Sequence, residues 1–347
     1  MKIFMIAGEP SGDRLGANLI EGLRLQLAQK GVEIVFQGIG GPLMKERGFI
    51  SLFDIKDLAV MGFWEVLPKL NNILSIIKKI SKYAVVWEPD VIITIDSPDF
   101  CFRVNKRIKK MWKNATIIHY VSPSVWAWRR NRAKNMATFV DHVLAILPFE
   151  PPYMHDVGLS CDFVGHPVVS QNVPSNQEIR SFRSYMNIQR DAPIVSILPG
   201  SRKSEITRMV PTLDKMVRVI SIKYPNLVFV VPTTENVSDL VVEWVNKSKM
   251  PIKVISEKDL DPSVFEFQKK VLFSTSLAAV ATSGTVSLEL ARMGAPMVIA
   301  YRASIFTELL YKLLMKVKTA TLINILTSRM DIDEYLFRKC TFKNLSI

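Results

Sequence analysis

The sequence has 347 residues, of which 48% are hydrophobic and 22% charged, a balance typical of a globular protein rather than a disordered chain. Its three cysteines lie far apart without a CxxC pair, which argues against a disulfide framework or a cysteine zinc cluster and fits a reducing compartment. A formal net charge of +13 favours an anionic partner such as nucleic acid, an acidic membrane or a phosphorylated substrate, although solvated helix faces explain dispersed basic residues equally well. Since no run of ~18 uncharged apolar residues occurs, we expect no membrane-spanning helix.

Apolar runs that end in a turn alternate with helical patterns in the first half of the chain. The predicted strands are residues 2–8, 33–41, 89–96, 115–124 and 141–149. Apolar side chains recur at helical spacing in three segments, residues 13–30, 59–83 and 100–113. Because the strand runs are continuously apolar and rich in β-branched residues, we expect a parallel sheet buried on both faces, with helices as the crossovers.

A polar, proline-containing stretch at residues 165–178 interrupts this alternation and indicates a domain boundary. A second series of predicted strands follows, at residues 192–202, 226–234, 251–256, 277–285 and 295–303. The fold class is therefore predicted to be α/β, with two Rossmann-like doubly wound domains, residues 1–168 and 169–347, and a cleft between them. Ligands of such sheets bind at the carboxyl ends of the strands, so the residues after each strand are the candidates for function.

Two aspartates follow the predicted strand 89–96, in the segment TIDSPDF. Asp96 lies at the carboxyl end of the strand, where the cleft is expected, and we predict that it is a general base, a role typically worth about 10²–10⁴-fold in rate. Asp99 directly precedes a basic amphipathic helix and is predicted to be its N-cap. The alternative is that both carboxylates only cap and brace the turn.

The loop GEPSGDRLG, residues 8–16, follows the first predicted strand and is neither a Walker A loop nor a GxGxxG turn. Ser11 or Asp13 is a candidate cap of the next helix. The functional alternative is a loop that lines the cleft beside an acceptor, with Ser11 in contact with substrate.

The segment HYVSPSVWAWRR combines aromatic and basic residues after a predicted strand. Trp126 and Trp128 are candidates to stack on a sugar or an acyl group, and Arg129 or Arg130 is a candidate to meet a phosphate. His119 is predicted to be a hydrogen-bonded structural histidine rather than a base.

Two strand-to-helix turns of the second domain have the composition of a diphosphate site. In the first, PGSR, a glycine lets the backbone approach a ligand and Arg202 adds a fixed positive fork. In the second, Ser283, Gly284 and Thr285 open a helix with hydroxyl and N–H groups, and Glu289, one turn later, is placed to accept hydrogen bonds from a ribose diol. Ordinary turns, with a serine or threonine cap and a surface glutamate, are the alternative.

The predicted helix 59–83 carries apolar residues at helical spacing with lysines between them. Such a helix is expected either at an anionic membrane surface, where it admits an acyl chain, or against the protein core. The pattern favours neither.

Ten segments, in chain order over about residues 3–330, together resemble the lipid-A-disaccharide synthase family. They are AGEPSGDRLGA, GIGGPLM, LAVMGFWEVL, IDSPDF, HYVSPSVWAWR, LPFE, FVGHP, LPGSR, SGTVSLE and PMVIAYR. IDSPDF and HYVSPSVWAWR are the most specific of these matches. The resemblance implies an inverting glycosyltransferase of the GT-B type that uses no metal and no cofactor. It also implies a cytoplasmic, peripheral association with the inner face of the bacterial inner membrane.

The resemblance implies the reaction as well. The family transfers 2,3-diacylglucosamine from its UDP donor to the 6-hydroxyl of 2,3-diacylglucosamine 1-phosphate, which yields UDP and the β-1,6-linked lipid A disaccharide 1-phosphate. The first domain is then assigned to the acceptor and the membrane, the second to the UDP-sugar, and Asn324 joins the nucleotide-binding residues. Family members continue through further helices and exchange C-terminal parts in a dimer, so a homodimer remains open for a sequence that ends at residue 347.

Two other functions remain open at the level of the sequence. Another UDP-sugar enzyme of the same fold, either a 2-epimerase or a transferase with a different lipid acceptor, would share the nucleotide-binding turns. A nucleic-acid-binding module would explain the positive charge, but the sequence contains no stacked aromatic–basic repeat and no recognition motif.

Overall fold

A computed structural model describes residues 1–55, 58, 63–127, 131–282, 284–314, 317 and 319–346, with the backbone alone described at 63–70, 305–306, 310, 312 and 314. Contacts divide the chain into two compact units, Met1–Pro167 and Val168–Ile347. Each unit contains one parallel sheet with helices between its strands, so the predicted doubly wound architecture is confirmed.

The first unit is a seven-stranded parallel sheet in the order β3-β2-β1-β4-β5-β6-β7. Its strands are β1 (Lys2–Ala7), β2 (Val35–Ile39), β3 (Ile50–Ser51), β4 (Val91–Ile95), β5 (Ile117–Tyr120), β6 (His142–Ala145) and β7 (Ser160–Phe163). Its helices are α1 (Pro10–Ala28), α2 (Pro42–Glu46), α3 (Phe63–Trp87), α4 (Pro98–Met111), α5 (Asn131–Met136) and α6 (Pro151–His155). The strand order reverses between β1 and β4, which is where ligands bind in open α/β sheets.

The strands of this sheet are apolar throughout because successive side chains enter two different cores. In β4, Ile92 packs in a cluster with Phe102 of α4, whereas Ile93 packs in a cluster with Met5 of β1 and Ala17 of α1. Full burial of an isoleucine side chain stabilises a fold by about 1.5–3 kcal/mol. Helices on both faces therefore replace the polar alternation that a half-exposed strand would show.

The second unit is a six-stranded parallel sheet in the order β10-β9-β8-β11-β12-β13. Its strands are β8 (Ile194–Leu198), β9 (Val228–Thr233), β10 (Ile252–Ser256), β11 (Ala278–Ala281), β12 (Met297–Tyr301) and β13 (Glu334–Leu336). Its helices are α7 (Asn176–Tyr185), α8 (Lys203–Lys223), α9 (Ser238–Ser248), α10 (Pro262–Thr275), α11 (Val286–Arg292), α12 (Ile305–Leu314), α13 (Leu322–Thr327) and α14 (Phe342–Leu345). Here the strand order reverses between β8 and β11.

The boundaries of all three helices predicted in the first unit differ from the sequence prediction, and α4 covers Pro98–Met111 rather than 100–113. α1 begins at Pro10 rather than at residue 13, because proline has no N–H to lose and its fixed φ suits the first helical position. The helix predicted over 59–83 continues to Trp87, and residues 59–62 lie outside the described part of the chain. Across the described residues, no helix combines the length and the apolar character needed to cross a membrane.

Candidate active site

The end of β4 turns sharply at two consecutive left-handed residues. Asp96 and Ser97 have φ values of +49° and +42°, a region that costs a non-glycine residue about 1–3 kcal/mol. The side chain of Thr94, two residues earlier, is buried and accepts a hydrogen bond from Asn105 of α4. The left-handed turn follows the last residue of the strand and leads directly into α4. Strain of this kind is typical of functional sites.

The loop after β1 holds this turn in place. Ser11 makes a side-chain hydrogen bond to Asp96, and the Ser97 hydroxyl donates to Glu9 Oε1 at 3.1 Å. Gly8 makes the close approach possible, since a Cβ there would lie 2.8 Å from Ser97 Oγ. The structure thus brings together Ser11 and Asp96, which the sequence had singled out separately, at the reversal point of the first sheet.

The pKa of Asp96 is raised above the ordinary value of an aspartate because the carboxyl group is desolvated by burial. The Ser97 backbone N–H and the Ser11 side chain both donate to the carboxylate and lower the pKa, but burial is the larger effect. A carboxylate with a raised pKa holds a proton more tightly, which suits a group that must take one from a hydroxyl.

The predicted N-cap role of Asp99 is wrong. α4 begins at Pro98, so Ser97 occupies the N-cap position and Asp99 lies inside the first turn. The Asp99 side chain is exposed and forms an ion pair with Arg132, with 2.9 Å between Oδ1 and Nη2. A negative charge in the first turn of a helix is stabilising there too, because the helix dipole is positive at that end.

Asp13 does cap a helix, but not the next one along the chain. Its buried carboxylate accepts hydrogen bonds from the backbone N–H groups of Gly41, Leu43 and Met44, at 2.8, 3.0 and 3.1 Å. These groups belong to the start of α2 and the turn before it. Glu9, not Asp13, occupies the N-cap position of α1. Asp13 therefore ties α1 to the turn after β2, a long-range contact that the local pattern did not reveal.

His119 is structural, as predicted. Its Nδ1 lies 2.8 Å from Thr94 Oγ1, and burial lowers the pKa of the imidazole to about 3. Asn105 donates to the same Thr94 hydroxyl, so the three side chains form one buried hydrogen-bonded group. His119 is thus uncharged near neutral pH.

The loops after β5 and β6 meet through Trp126 and Glu150, and Glu150 was not among the residues predicted from the sequence. The Trp126 Nε1–H donates to Glu150 Oε1 at 3.3 Å, and the indole lies edge-to-face with Phe149 at 5.2 Å between ring centroids. Burial raises the pKa of Glu150 to about 7. Trp128, Arg129 and Arg130 lie outside the described residues. The LPFE segment contains Glu150, but nothing local in it indicates that its carboxylate is buried.

In the second unit, the PGSR turn after β8 is built around a carboxylate. Glu205 Oε2 accepts hydrogen bonds from the Ser201 and Arg202 N–H groups, at 3.0 and 3.3 Å, and Glu205 Oε1 lies 3.4 Å from Arg202 Nη1. Gly200 has a φ of +121°, and a Cβ there would lie 2.4 Å from Glu205 Oε2. The Arg202 side chain stays half exposed while Glu205 orients it. Glu205 is a second residue that sequence reasoning missed.

The turn after β11 lies across the strand-order reversal from the PGSR turn. Ser283 lies outside the described residues, Gly284 is half-buried and Thr285 is exposed directly before α11. Glu289 is buried rather than at the surface, with 3.0 Å between Oε2 and Lys269 Nζ of α10. The surface alternative for Glu289 is therefore wrong. Its role toward a ribose stays a prediction.

Asn324 lies in a buried cluster at the start of α13. Its Nδ2 donates to the Ile332 carbonyl at 2.8 Å and its Oδ1 accepts from the Ile332 N–H at 2.9 Å. The neighbouring Glu334 carboxylate accepts from the Thr321 N–H at 2.8 Å. These contacts brace α13 against the segment that leads into β13, and a nucleotide contact by Asn324 stays a prediction.

Comparison with known sequences shows the family of this chain. The sequence profile of the lipid-A-disaccharide synthetases matches residues 3–347. The chain belongs to this family. The lipid-A-disaccharide synthase of Rhodospirillum centenum is 42% identical over 346 residues, which cover 99% of this chain and 83% of that protein. The synthase of Ruegeria pomeroyi is 40% identical over 346 residues, covering 100% of this chain and 85% of its own length.

Solved structures with low sequence identity share the fold. Methanocaldococcus jannaschii UDP-GlcNAc 2-epimerase has a TM-score of 0.65 at 13% identity, over 100% of this chain and 91% of that one. Escherichia coli ADP-heptose lps heptosyltransferase II has a TM-score of 0.51 at 9% identity, over 100% and 96%. These likenesses confirm two Rossmann-like domains of the GT-B type. Membership of the family makes the enzyme a hexosyltransferase of lipid A biosynthesis.

Proposed function

We propose that the enzyme transfers 2,3-diacylglucosamine from UDP to the 6-hydroxyl of 2,3-diacylglucosamine 1-phosphate, and so forms the β-1,6-linked disaccharide 1-phosphate and UDP. The observation that carries this proposal is the hydrogen-bonded pair of Asp96 and Ser11 at the strand-order reversal of the first sheet. A single carboxylate of raised pKa at such a point suits a transfer to a hydroxyl, which needs one base. The first unit then binds the acceptor and the second the UDP-sugar.

In the proposed step, Asp96 takes the proton of the acceptor 6-hydroxyl as that oxygen attacks the anomeric carbon. The bond from the anomeric carbon to the diphosphate oxygen breaks, and UDP leaves with the electron pair. Attack from the face opposite UDP inverts the configuration at that carbon. Ser11 helps to orient the Asp96 carboxylate through its hydrogen bond.

The leaving diphosphate is stabilised by positive charge and by N–H groups of the second unit. Arg202 is half exposed and oriented by Glu205, so its guanidinium is available to the β-phosphate. Gly284 and Thr285 lie across the strand-order reversal, after β11, and are assigned further N–H and hydroxyl groups for the diphosphate. Ser283 is assigned to the same site from the sequence alone. Fixed donors aimed at developing charge are an effective form of transition-state stabilisation.

The ribose is assigned to Glu289. Lys269 lies 3.0 Å from its Oε2 and fixes the carboxylate inside the interface of α10 and α11. An anchored carboxylate loses little conformational freedom when it accepts hydrogen bonds from a diol. Asn324 supports the same region by holding the start of α13.

We assign the membrane contact to the exposed side of α3 and α4, which pack against each other in the first unit. Ile76, Ile77 and Ile80 of α3 face the core, which confirms the core-facing interpretation for this part of the helix. Away from the core, α3 and α4 carry seven exposed basic residues and an eighth follows the end of α4: Lys78, Lys79, Lys82, Arg103, Lys106, Arg107, Lys110 and Lys113. Near an anionic surface each contributes about 1 kcal/mol of attraction, which suits the cytoplasmic leaflet.

The proposal is tested by incubating the enzyme with both diacylated substrates and following UDP and the disaccharide 1-phosphate by mass spectrometry. Formation of both products in equal amounts is expected. UDP-GlcNAc is the comparison donor. Conversion of UDP-GlcNAc to its 2-epimer without any acceptor, together with no disaccharide from the diacylated pair, would overturn the proposal in favour of an epimerase.

A further inference from the structure

Glu150 is a buried carboxylate that the proposed transfer step does not use. It is 2% exposed and follows β6, in the loop that leads to α6. Glu150 Oε2 accepts the Leu147 N–H at 3.0 Å, within its own loop, while Oε1 accepts the Trp126 Nε1–H from the loop after β5. One side chain therefore connects two loops.

Both loops emerge at the edge of the sheet that carries Asp96. β4, β5 and β6 are neighbouring parallel strands, so the residues that follow them lie along the same edge. Trp126 is half-buried, and its ring is held at two places, by Glu150 at the nitrogen and by Phe149 at its edge. A rigid indole with an open portion offers a large contact area at low cost in conformational entropy.

Holding a carboxylate at this position is unfavourable for the fold alone. Burial raises the pKa of Glu150 to about 7, which shows that the charged form is poorly solvated there. The carboxylate offsets this cost by accepting oriented hydrogen bonds from the indole N–H and from the Leu147 N–H. An apolar side chain of similar size would avoid that penalty, but it would leave the Leu147 and Trp126 N–H groups without this acceptor.

We propose that Glu150 is a positioning residue for acceptor binding, which fixes the Trp126 indole so that its ring packs against the glucosamine ring of the acceptor. This rests on the proposed function, because the transfer reaction defines the acceptor. Glu150 acts through Trp126 and touches no reacting atom. Removing it therefore loosens the ring and weakens acceptor binding, while donor binding and the transfer step are preserved.

The test is a double-mutant cycle with Glu150→Gln, Trp126→Phe and both together. Glutamine keeps the size of the side chain but has one acceptor oxygen for two N–H donors, and phenylalanine keeps an aromatic ring without the N–H. We expect each single variant to raise the acceptor KM about tenfold, with the donor KM and kcat within twofold. The double variant should be no worse than the singles. Glu243→Gln, an exposed glutamate of α9, is the matched control and should change neither KM.

A spectroscopic measurement reports the position of the ring without turnover. The emission of Trp126 is obtained by subtracting the spectrum of Trp126→Phe, in the native and in the Glu150→Gln background. We expect a red shift and weaker quenching by the acceptor once Glu150 is replaced. Additive KM effects in the cycle, or an unchanged emission, would overturn the positioning role. Wild-type enzyme that makes no disaccharide would overturn the proposed function instead, and the emission would still decide the role of Glu150.

Discussion

At the scale of single residues, the site depends on carboxylates whose surroundings differ although their sequence context is similar. Asp96 and Asp99 are three positions apart, but the first is enclosed by the Ser11 loop and the second is exposed beside Arg132. Burial raises the pKa of Asp96, while Asp99 has an ion-pair partner at the surface. This contrast supports the base role proposed for Asp96, and it makes Asp99 a suitable control.

Asp96→Asn should lower kcat about 10²–10⁴-fold, because the amide cannot take the proton of the acceptor hydroxyl. UDP binding should be unchanged. In the wild type, the rate should fall as the pH drops through the raised pKa of Asp96, that is, at a higher pH than for an ordinary aspartate. Steady-state kinetics against pH and calorimetric UDP binding measure these effects. Asp99→Asn should stay within twofold, and a kcat of Asp96→Asn within a fewfold of wild type would exclude Asp96 as the base.

The raised pKa of Glu150 leads to a prediction about how stability depends on pH. Its folded-state pKa of about 7 lies above the ordinary value of 4.5, so its contribution favours folding below pH 4.5 and is lost as the pH rises through 7. Glu150→Gln removes this loss. The free energy of unfolding of the variant, relative to wild type, should therefore rise between pH 5 and pH 8, by up to about 3 kcal/mol.

Denaturant titrations at several pH values measure how the difference in the free energy of unfolding between variant and wild type changes with pH. Any constant cost of the glutamine side chain cancels, because only the change with pH is compared. Glu178→Gln serves as the control, since the pKa of this exposed glutamate is lowered by the Ser175 backbone N–H and no relative gain with rising pH is expected. A flat difference for Glu150→Gln would show that the carboxyl group titrates normally.

At the scale of elements, turns rather than helices or strands carry the candidate function. The PGSR turn is shaped from within by Glu205, whose carboxylate accepts two N–H groups and also orients Arg202. The turn therefore requires glycine at position 200 for its backbone conformation and for the space beside Glu205. The diphosphate role proposed for the turn depends on this arrangement.

Gly200→Ala should destabilise the fold by about 1–3 kcal/mol and weaken UDP binding, because the new Cβ displaces Glu205 and with it Arg202. The acceptor KM should not change. Thermal unfolding and UDP titration measure the two effects. Gly158→Ala is the comparison: its φ is +73°, but a Cβ there meets no described atom within 4 Å. Gly158→Ala should cost some stability without changing UDP binding. If Gly200→Ala binds UDP as tightly as wild type does, the PGSR turn is not part of the donor site.

At the scale of the whole molecule, the net charge of +13 includes a concentrated contribution from one side of the first unit. Seven of the eight exposed basic residues lie on α3 and α4, which bury their apolar sides in the same core, and Lys113 follows the end of α4. Such a face attracts anionic lipid, and the attraction weakens as salt screens it.

Replacing Arg103, Arg107 and Lys110 by glutamate should lower binding to vesicles that contain about 30% phosphatidylglycerol more than tenfold. Each replacement removes an attraction to the anionic lipid and adds a repulsion. Flotation or sedimentation with vesicles at low and high salt measures this. Arg190, Lys215 and Lys223 are exposed basic residues of the second unit, and their reversal is the control of equal charge. Equal losses in the two triple variants would mean that total charge, not this face, governs binding.

The sequence determined much of this protein through patterns that are local. Continuous β-branched runs predicted parallel strands, because helices on both faces leave no strand side in water. The positions of Asp96, Arg202 and Glu289 after their strands made them candidates, since the carboxyl ends of parallel strands share one edge. The resemblance of IDSPDF and HYVSPSVWAWR to a family supplied the reaction.

Tertiary structure decided which side chains meet across loops. Asp13 caps a helix 29 positions further along the chain, at Pro42, rather than its own. Glu150 reaches Trp126, and Lys269 reaches Glu289, between segments that are distant in sequence. Spacing reports periodicity within one element, whereas burial and partners depend on how elements pack. For that physical reason the candidate residues could be named from the sequence, but the residues that hold them in place could not.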